Sequence, residues 1–470
     1  MPRKSDLLLP GQTTKKTSAK KTAPKNRAAE ISAARKAAFH ILLSVEREQS
    51  HSDDLLRGRA VDALSAADRN LATALVLGVL REQILLDRRI HALLARPGAK
   101  LDAEILIALR LGAFQLLRMD RIPARAAIDE SVELAKQAGH RFASGMVNAV
   151  LRKLSKIPRS MDEIEAHPVW MVERWMSFYG KEATREICRH GQSQPVMMVR
   201  LASPEVGDEL IAAGVTLEVG ELLTAARVVV SGDVTAMAAF REGRLRMQDE
   251  GSQLVAEILS HALDQNVTSF LDACAAPGGK TMILAEGHRQ ARIVALESSA
   301  PRLEQLRKRL APLGERIECR LADATAFNEE ASFDLALADV PCSGTGTLGR
   351  NPEIRHRLRA EELPRQAERQ RTILSAALRA LRPGGRAVYS TCSLEPEENE
   401  QVVAAVLAAS PFARLLPLSD CIEVLRRKDI VTENGAKCLQ TCLAPEGWLR
   451  LFPGAFHTDG FFIALIERTM

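Results

Sequence analysis

Two cysteines in this chain lie at the ends of apolar segments of strand length. Side chains at strand ends often face a cleft. Cys342 comes two residues after FDLALADV, and Cys392 directly follows AVYST. A cysteine thiolate is a strong nucleophile, so thiols at two strand ends would permit covalent catalysis in which one attacks and the other assists release. The alternative for each is a small buried hydrophobe, the commoner role of an isolated cysteine.

The turn that carries Cys342 also carries Asp339, and this trio suits one reaction in particular. C5 of a cytosine is a poor nucleophile until a thiolate adds to C6 and breaks the aromaticity of the ring. That addition needs a proton or hydrogen bond at N3, which Asp339 would provide if its carboxyl group is protonated or shares a proton in the closed site. A base must then remove the C5 proton before the first thiol can leave. We predict Cys392, Cys342 and Asp339 as catalytic residues.

A glycine-containing segment, LDACAAPGGKT at 271–281, follows another strand-like run and opens a helical one. Gly278 and Gly279 let the backbone approach a ligand closely, and a helix N-terminus offers free N–H groups. A P-loop is excluded because Cys274 takes its first glycine position, and the GxGxxG pattern is absent. A nucleoside without a phosphate chain, such as S-adenosylmethionine, fits better. The predicted cofactor-binding residues here are Cys274, Ala275, Ala276, Pro277, Gly278, Gly279 and Lys280.

Acidic residues end the next two strand-like runs. Glu297 lies 18 residues after Gly279 and could accept both ribose hydroxyls, while Asp323 could meet the adenine amino group. Either acid alone could instead cap the helix that follows it. Their joint position after successive strands favours the nucleoside site.

The elements that must position these residues alternate between strand-like and helical patterns from about residue 248 onward. This rhythm predicts a parallel sheet with helices on both faces and ligands at the carboxyl ends of its strands. Earlier segments show helical spacing of apolar residues, then a mixture with a helix break at Gly180. The predicted fold is multidomain: a disordered basic tail (1–28), an all-α domain (29–158), a small α+β linker domain (159–246) and an α/β Rossmann-like domain (247–470).

The net charge of +5 is unevenly distributed. Residues 1–160 contain 29 Lys or Arg and 16 Asp or Glu, a net of +13, so the rest of the chain is acidic. A basic front half favours a polyanion partner such as RNA, although a solvated basic tail explains part of the excess. Arg350 and Arg355, beside the Cys342 turn, are RNA-binding candidates because guanidinium planes can replace scarce aromatic rings. Ordinary surface charge is the alternative for both.

The eight cysteines are dispersed along the chain, unlike the disulfide framework of a small secreted protein. No apolar run is long enough to span a bilayer, and the N-terminus lacks the apolar core of a signal peptide. We therefore expect a cytoplasmic monomer. Cys438 and Cys442 form a CxxxC pair, but no second pair accompanies it, so no metal site is expected.

Four motifs that occur in order carry a resemblance to a known family. DACAAPGGKT, DVPCSGTGTLGRNPEIR, STCSLEPEENE and DGFF together resemble those of bacterial ribosomal RNA (cytosine-5)-methyltransferases of the Sun (Fmu) type. DRNLATALVLGVLR and GMVNAVLRKL resemble the NusB-like RNA-binding domain that these enzymes carry in front. The resemblance covers essentially all of residues 30–470.

This resemblance implies roles for the matching positions. Cys392 in TCS would be the nucleophile, and Cys342 in PCSG would assist product release. S-adenosylmethionine would bind residues 274–280, Glu297, Asp323 and Asp339, and the substrate would be one cytosine of 16S rRNA. Two departures are Ala202, which replaces an asparagine usual in the linker domain, and Glu297, where many relatives have Asp.

Two alternatives stay open on the sequence. The same chemistry could act on tRNA, against which only the NusB-like front domain argues. A non-catalytic RNA-binding ribosome assembly factor could retain the same fold. Such a factor would need neither the two cysteines nor Gly278 and Gly279.

Overall fold

The computed structural model describes residues 30–48, 51–158, 163–264 and 266–469, so the predicted basic tail, 1–28, lies outside the described residues. The front of the chain is all helical, as its apolar spacing predicts. Two of its helices, Ala66–Leu93 and Ala103–Arg118, cross closely because Gly78 has no side chain. A Cβ at Gly78 would lie 2.0 Å from Cζ of Phe114. The helices are α1 (Ala33–Glu48), α2 (Ser52–Leu56), α3 (Arg59–Asp62), α4 (Ala66–Leu93), α5 (Ala103–Arg118), α6 (Ala124–Gln137) and α7 (Ser144–Leu154).

A small mixed region follows, with a four-stranded antiparallel sheet whose strands lie in the order Thr216–Val219, Ala226–Ser231, Met197–Leu201 and Leu245–Met247. The predicted break at Gly180 is confirmed, since its φ of 76° interrupts the first helix. Arg200 anchors the sheet on the next region by pairing with Glu257 at 2.7 Å. The elements are α8 (Val169–Gln192), β1 (Met197–Leu201), α9 (Pro204–Ala212), β2 (Thr216–Val219), β3 (Ala226–Ser231), α10 (Ala238–Arg241) and β4 (Leu245–Met247).

The last region is built on an eight-stranded sheet. Its strands are β5 (Ser269–Asp272), β6 (Arg292–Glu297), β7 (Ile317–Leu321), β8 (Phe333–Asp339), β9 (Leu381–Thr391), β10 (Ala413–Leu416), β11 (Leu449–Leu451) and β12 (Phe461–Arg468). Its helices are α11 (Glu250–Ser260), α12 (Gly279–Gly287), α13 (Ala300–Leu310), α14 (Ile354–Arg357), α15 (Leu363–Ala380), α16 (Glu400–Ala409), α17 (Leu418–Arg427) and α18 (Glu433–Thr441).

The order of this sheet is β10-β12-β9-β8-β5-β6-β7, with β11 paired to β12. Strands β7, β6, β5, β8 and β9 are mutually parallel, which confirms the predicted parallel sheet. The interiors of β5, β6, β8 and β9 are buried, as expected for strands covered by helices on both faces, whereas the edge strand β7 is partly exposed. The antiparallel strand β12, which the DGFF motif enters, lies beside β9 and was not predicted.

The front helices contact the turn that follows Cys342. Arg81 donates through Nε to the carbonyl oxygen of Gly349 at 2.9 Å. The buried carboxylate of Glu353 accepts from the backbone N–H of Ser52 at 3.0 Å, at the start of α2. The helical front region and the sheet region are therefore joined next to a candidate catalytic residue.

Among the described residues, no helix is long and apolar enough to cross a membrane. The same part of the chain contains no group of three or more His, Cys, Asp or Glu side chains arranged to hold a metal ion. Cys438 and Cys442 lie at and just after the end of α18 as free thiols.

Candidate active site at the carboxyl edge of the sheet

The parallel strands bring most of the predicted site residues to one edge, because their carboxyl ends all point the same way. A cavity of about 340 Å³ opens there, between the ends of β5, β6, β7, β8 and β9. Seven predicted residues line it: Cys274, Ala276, Glu297, Asp323, Asp339, Cys342 and Cys392. Ala275, Pro277, Gly278, Gly279 and Lys280 do not belong to its lining.

The two cysteines lie side by side at the ends of neighbouring strands β8 and β9. Their Sγ atoms are 3.5 Å apart, and both side chains are half-buried. The pKa of Cys342 is raised well above its usual range, first by its hydrogen bond with Cys392 and then by burial. Cys342 therefore keeps its proton at neutral pH and can donate it towards Cys392.

Asp339, at the end of β8, forms an ion pair with Lys280. The ammonium group donates to Oδ2 of Asp339 at 2.7 Å, and Ser390 donates to Oδ1 at 2.6 Å. Burial alone would lower the pKa of Lys280, but the charge and hydrogen bond of Asp339 outweigh it, and the pKa is raised. Both carboxylate oxygens of Asp339 therefore accept hydrogen bonds, and the ammonium group of Lys280 is a proton donor directly beside it.

Cys392 is also within the electrostatic reach of Lys280. The negative charge of a Cys392 thiolate is one of the causes that raise the pKa of the Lys280 ammonium. Lys280 is thus the kind of nearby cation that a nucleophilic cysteine requires. Lys280 was predicted as a cofactor residue, and in the structure its ammonium group bonds to Asp339, with Cys392 nearby.

The turn between β5 and α12 is held by a strand-end carboxylate and by glycine. Asp272 accepts from Oγ1 of Thr281 at 2.7 Å and from the backbone N–H of Cys274 at 3.3 Å. Gly278 has a φ of 99°, and a Cβ there would lie 2.9 Å from Leu306 Cδ1. Only glycine meets both requirements without strain, so Gly278 shapes this wall from behind.

The two acids at the next strand ends both face the cavity, with different local partners. Glu297 is 5% exposed, and its Oε1 accepts from the backbone N–H of Ser299 at 2.8 Å. Asp323 caps the short turn after β7, where its Oδ1 accepts from the N–H and the hydroxyl of Thr325, both at 2.9 Å. These bonds lower the pKa of Asp323. Asp323 therefore acts as the cap that was considered as an alternative to cofactor binding, and it lines the cavity as well.

The cavity fits a nucleoside cofactor without phosphates. Its walls carry the carboxylates of Glu297 and Asp323, which are acceptors for ribose hydroxyls or an adenine amino group. A volume of about 340 Å³ is in the range of small-molecule sites.

The structure assigns the two candidate RNA-binding arginines to internal contacts. Arg355 is 2% exposed and donates to the carbonyl oxygens of Arg81 at 2.8 Å and Gly191 at 2.7 Å. Its guanidinium therefore cannot stack on RNA, and we discard it as an RNA contact. Arg350 is half-buried and bridges the carboxylates of Asp249 and Asp459 at 2.9 and 2.6 Å.

Residues after Cys392 form a buried network that was not predicted. The carboxylate of Glu398 accepts four hydrogen bonds, and Glu395 accepts from Trp175 Nε1 at 3.1 Å. Asn399 donates through Nδ2 to the carbonyl oxygen of Ser393 at 2.9 Å. The segment EPEENE could have indicated this network. Several acidic residues directly after a buried strand need hydrogen-bond partners if their side chains are buried.

Two family profiles match separate parts of the chain. Residues 259–467 match the family described as 16S rRNA methyltransferase RsmB/F. Residues 32–156 match the NusB family. Both matches confirm the resemblance that the motifs indicate.

Relatives of similar length match nearly the whole chain. The protein named Probable ribosomal RNA small subunit methyltransferase B of Bacillus subtilis is 32% identical, over 92% of this chain and 98% of that protein. Ribosomal RNA small subunit methyltransferase B of Pseudomonas putida is 34% identical, over 87% and 92%. The crystal structure of PH0851 aligns with a TM-score of 0.75 and 25% identity, covering 94% of this chain and 100% of the other.

Proposed function

The chain belongs to the 16S rRNA methyltransferase RsmB/F family of S-adenosylmethionine-dependent enzymes, and on this premise we propose that it methylates C5 of a cytosine in 16S rRNA. Membership makes it a methyltransferase of small-subunit rRNA. The base, the atom and the covalent route are our proposal. The observation that carries it is the 3.5 Å contact between Cys342 and Cys392 beside a nucleoside-sized cavity.

Attack by Cys392 is the first step that the geometry supports. Its thiolate forms a bond to C6 of the cytosine, and the electrons of the C5–C6 double bond make C5 nucleophilic. The charge that develops at N3 is neutralised by the proton that Lys280 holds against Asp339. When bound, S-adenosylmethionine supplies an electrophilic methyl group; Glu297, Asp323 and the 274–280 turn would hold it.

Release requires that the proton on C5 be removed. The electron pair of the broken C5–H bond then restores the C5–C6 double bond, the C6–S bond breaks so that Cys392 leaves as the thiolate, and N3 returns its proton to Lys280. Cys342 is suited to act at this stage because its contact with Cys392 is the main cause of its raised pKa. Once Cys392 is bound to carbon, that cause is gone, and Cys342 becomes easier to deprotonate.

The substrate choice rests on the front region and on the relatives. The net charge of +13 over residues 1–160 suits an RNA backbone, which is bound through many phosphate contacts and with strong salt dependence. A target cytosine must be unstacked to reach a thiol at the end of a strand, so a loop or single strand is expected. Small-subunit rRNA is the substrate named for the relatives.

Bisulfite mapping of total RNA tests this function. Cells that lack the protein should lose one 5-methylcytosine in 16S rRNA, and the wild-type gene should restore it. A gene encoding Cys392→Ala should not. Loss of methylation in a tRNA, with 16S rRNA unchanged, would reassign the substrate, and unchanged methylation in both would refute the activity.

A further inference from the structure

Glu398 is a fully buried carboxylate to which the proposed chemistry gives no role. It lies six residues after Cys392, and its relative exposure is 0%. A buried charge is strongly unfavourable unless its oxygens are hydrogen-bonded. Its partners therefore show what the protein gains by keeping it there.

Those partners come from both cysteine-bearing turns. Ser343, the residue after Cys342, donates to Glu398 through its backbone N–H at 2.9 Å and through its hydroxyl at 2.5 Å. Ser393, the residue after Cys392, donates through its hydroxyl at 2.5 Å. One carboxylate thus bridges the residues that directly follow the two thiols.

Further bonds extend this bridge on the Cys342 side. Gln370 donates through Nε2 to Glu398 at 2.9 Å and also to the carbonyl oxygen of Pro341 at 2.9 Å. Pro341 and Ser343 flank Cys342, so the backbone is fixed before and after this residue. The carboxylate of Glu398 therefore holds the Cys342 turn on both sides of its thiol.

We infer that Glu398 is a positioning residue for the reaction proposed above: by holding Ser343 and Ser393 it sets the separation of the Cys342 and Cys392 thiols. The inference rests on the proposed function for its consequence in catalysis, but the separation itself is a property of the free protein. The negative charge of Glu398 also contributes to raising the pKa of Cys342, which keeps that residue in its thiol form.

Crosslinking of the two thiols measures their separation without RNA or cofactor. Diamide takes two electrons and two protons from a thiol pair and leaves a disulfide, at a rate that depends on how often the sulfur atoms meet. Trypsin separates the pair, because Cys342 falls in peptide 321–350 and Cys392 in peptide 387–414. Mass spectrometry of the joined peptides then gives the rate for this pair alone.

Glu398→Ala should slow this crosslinking at least tenfold and should lower kcat about a hundredfold, with little change in KM for RNA. Glu398→Gln, which keeps the shape and part of the bonding, should fall in between. Glu397→Gln is the matched control, because Glu397 lies on the same turn but pairs with Arg174 at 2.7 Å. It should crosslink and turn over as the wild type does.

A combined Ser343→Ala and Ser393→Ala variant guards against a folding failure of Glu398→Ala, since it removes the two hydroxyl donors and keeps the acid. It should also slow crosslinking, but less than Glu398→Ala does, because the N–H of Ser343 and Gln370 still bond to Glu398. Wild-type crosslinking rates in both Glu398 variants and in the double-serine variant would overturn the inference. Methylation that persists in Cys392→Ala would instead refute the proposed function and leave the crosslinking result intact.

Discussion

The two halves of the cleft are held in different ways. In the cofactor half, Glu297 and Asp323 bond to groups two residues further along the chain, Ser299 and Thr325. In the catalytic half, Lys280 reaches Asp339 across 59 residues, and Ser343 reaches Glu398 across 55. Local bonds tolerate a shift of the turn that they stabilise, whereas the long-range bonds fix two turns against each other. The difference indicates that binding needs a shaped wall and that the chemistry needs a fixed distance.

Removing the nucleophile should abolish the function of the catalytic half. Cys392→Ala should lower methyl transfer by at least about 10⁴-fold, because no other group can form the bond to C6. Cofactor binding, measured by calorimetry, should be unchanged. Cys438→Ala is the control for loss of a half-buried thiol elsewhere and should keep full activity. Normal turnover in Cys392→Ala would exclude its assignment as nucleophile.

Removing the second thiol should stop the reaction after attack. Cys342→Ala should lower turnover by about 10²–10³-fold, as expected for loss of acid–base assistance. It should also accumulate a covalent RNA–protein adduct, visible as a slow band on a denaturing gel. The band should vanish when Cys392→Ala is added. If Cys342→Ala releases product at the wild-type rate, the division of labour between the thiols is wrong.

A change in the cofactor half should affect binding more than chemistry. Glu297→Ala should weaken S-adenosylmethionine binding by about 10–100-fold, through loss of charge-assisted hydrogen bonds to a ligand. Turnover at saturating cofactor should change much less. Glu297→Asp, which keeps the carboxylate, should restore most of the affinity. Equal losses in affinity and in saturated turnover would remove the contrast between the two halves.

The last expected effect is on stability and leaves binding and turnover aside. Burial raises the pKa of Asp272 to about 6 from 3.8. Between those values the folded protein binds a proton that the unfolded chain does not, so stability falls as pH rises from about 4 to about 6, by at most about 3 kcal/mol. Asp272→Asn should abolish this component. The measurement is the free energy of unfolding in urea, taken for the wild type and for Asp272→Asn across this pH range. Equal losses of unfolding free energy in the two proteins would contradict the assignment to Asp272.

The sequence predicted the parts of the site that depend on local pattern. Strand-length apolar runs located Cys342, Cys392, Glu297 and Asp323 at one edge, because carboxyl ends of parallel strands must meet there. The sequence could not predict that Lys280 pairs with Asp339, because a lysine in a glycine-rich turn is equally compatible with a direct contact to a ligand. Arg355 was misjudged for a related reason. It lies in a segment rich in charged residues, NPEIRHRLR, and the packing of the front helices on the Cys342 turn buries it.

The covalent intermediate gives the most direct test of the whole proposal. A 16S rRNA fragment with 5-fluorocytosine at the target can be attacked and methylated, but it has no C5 proton to lose, so the enzyme should stay attached. Tryptic digestion of the wild-type adduct should yield RNA on peptide 387–414, through Cys392. RNA on peptide 321–350, through Cys342, or no adduct despite active methylation of normal RNA, would contradict the mechanism.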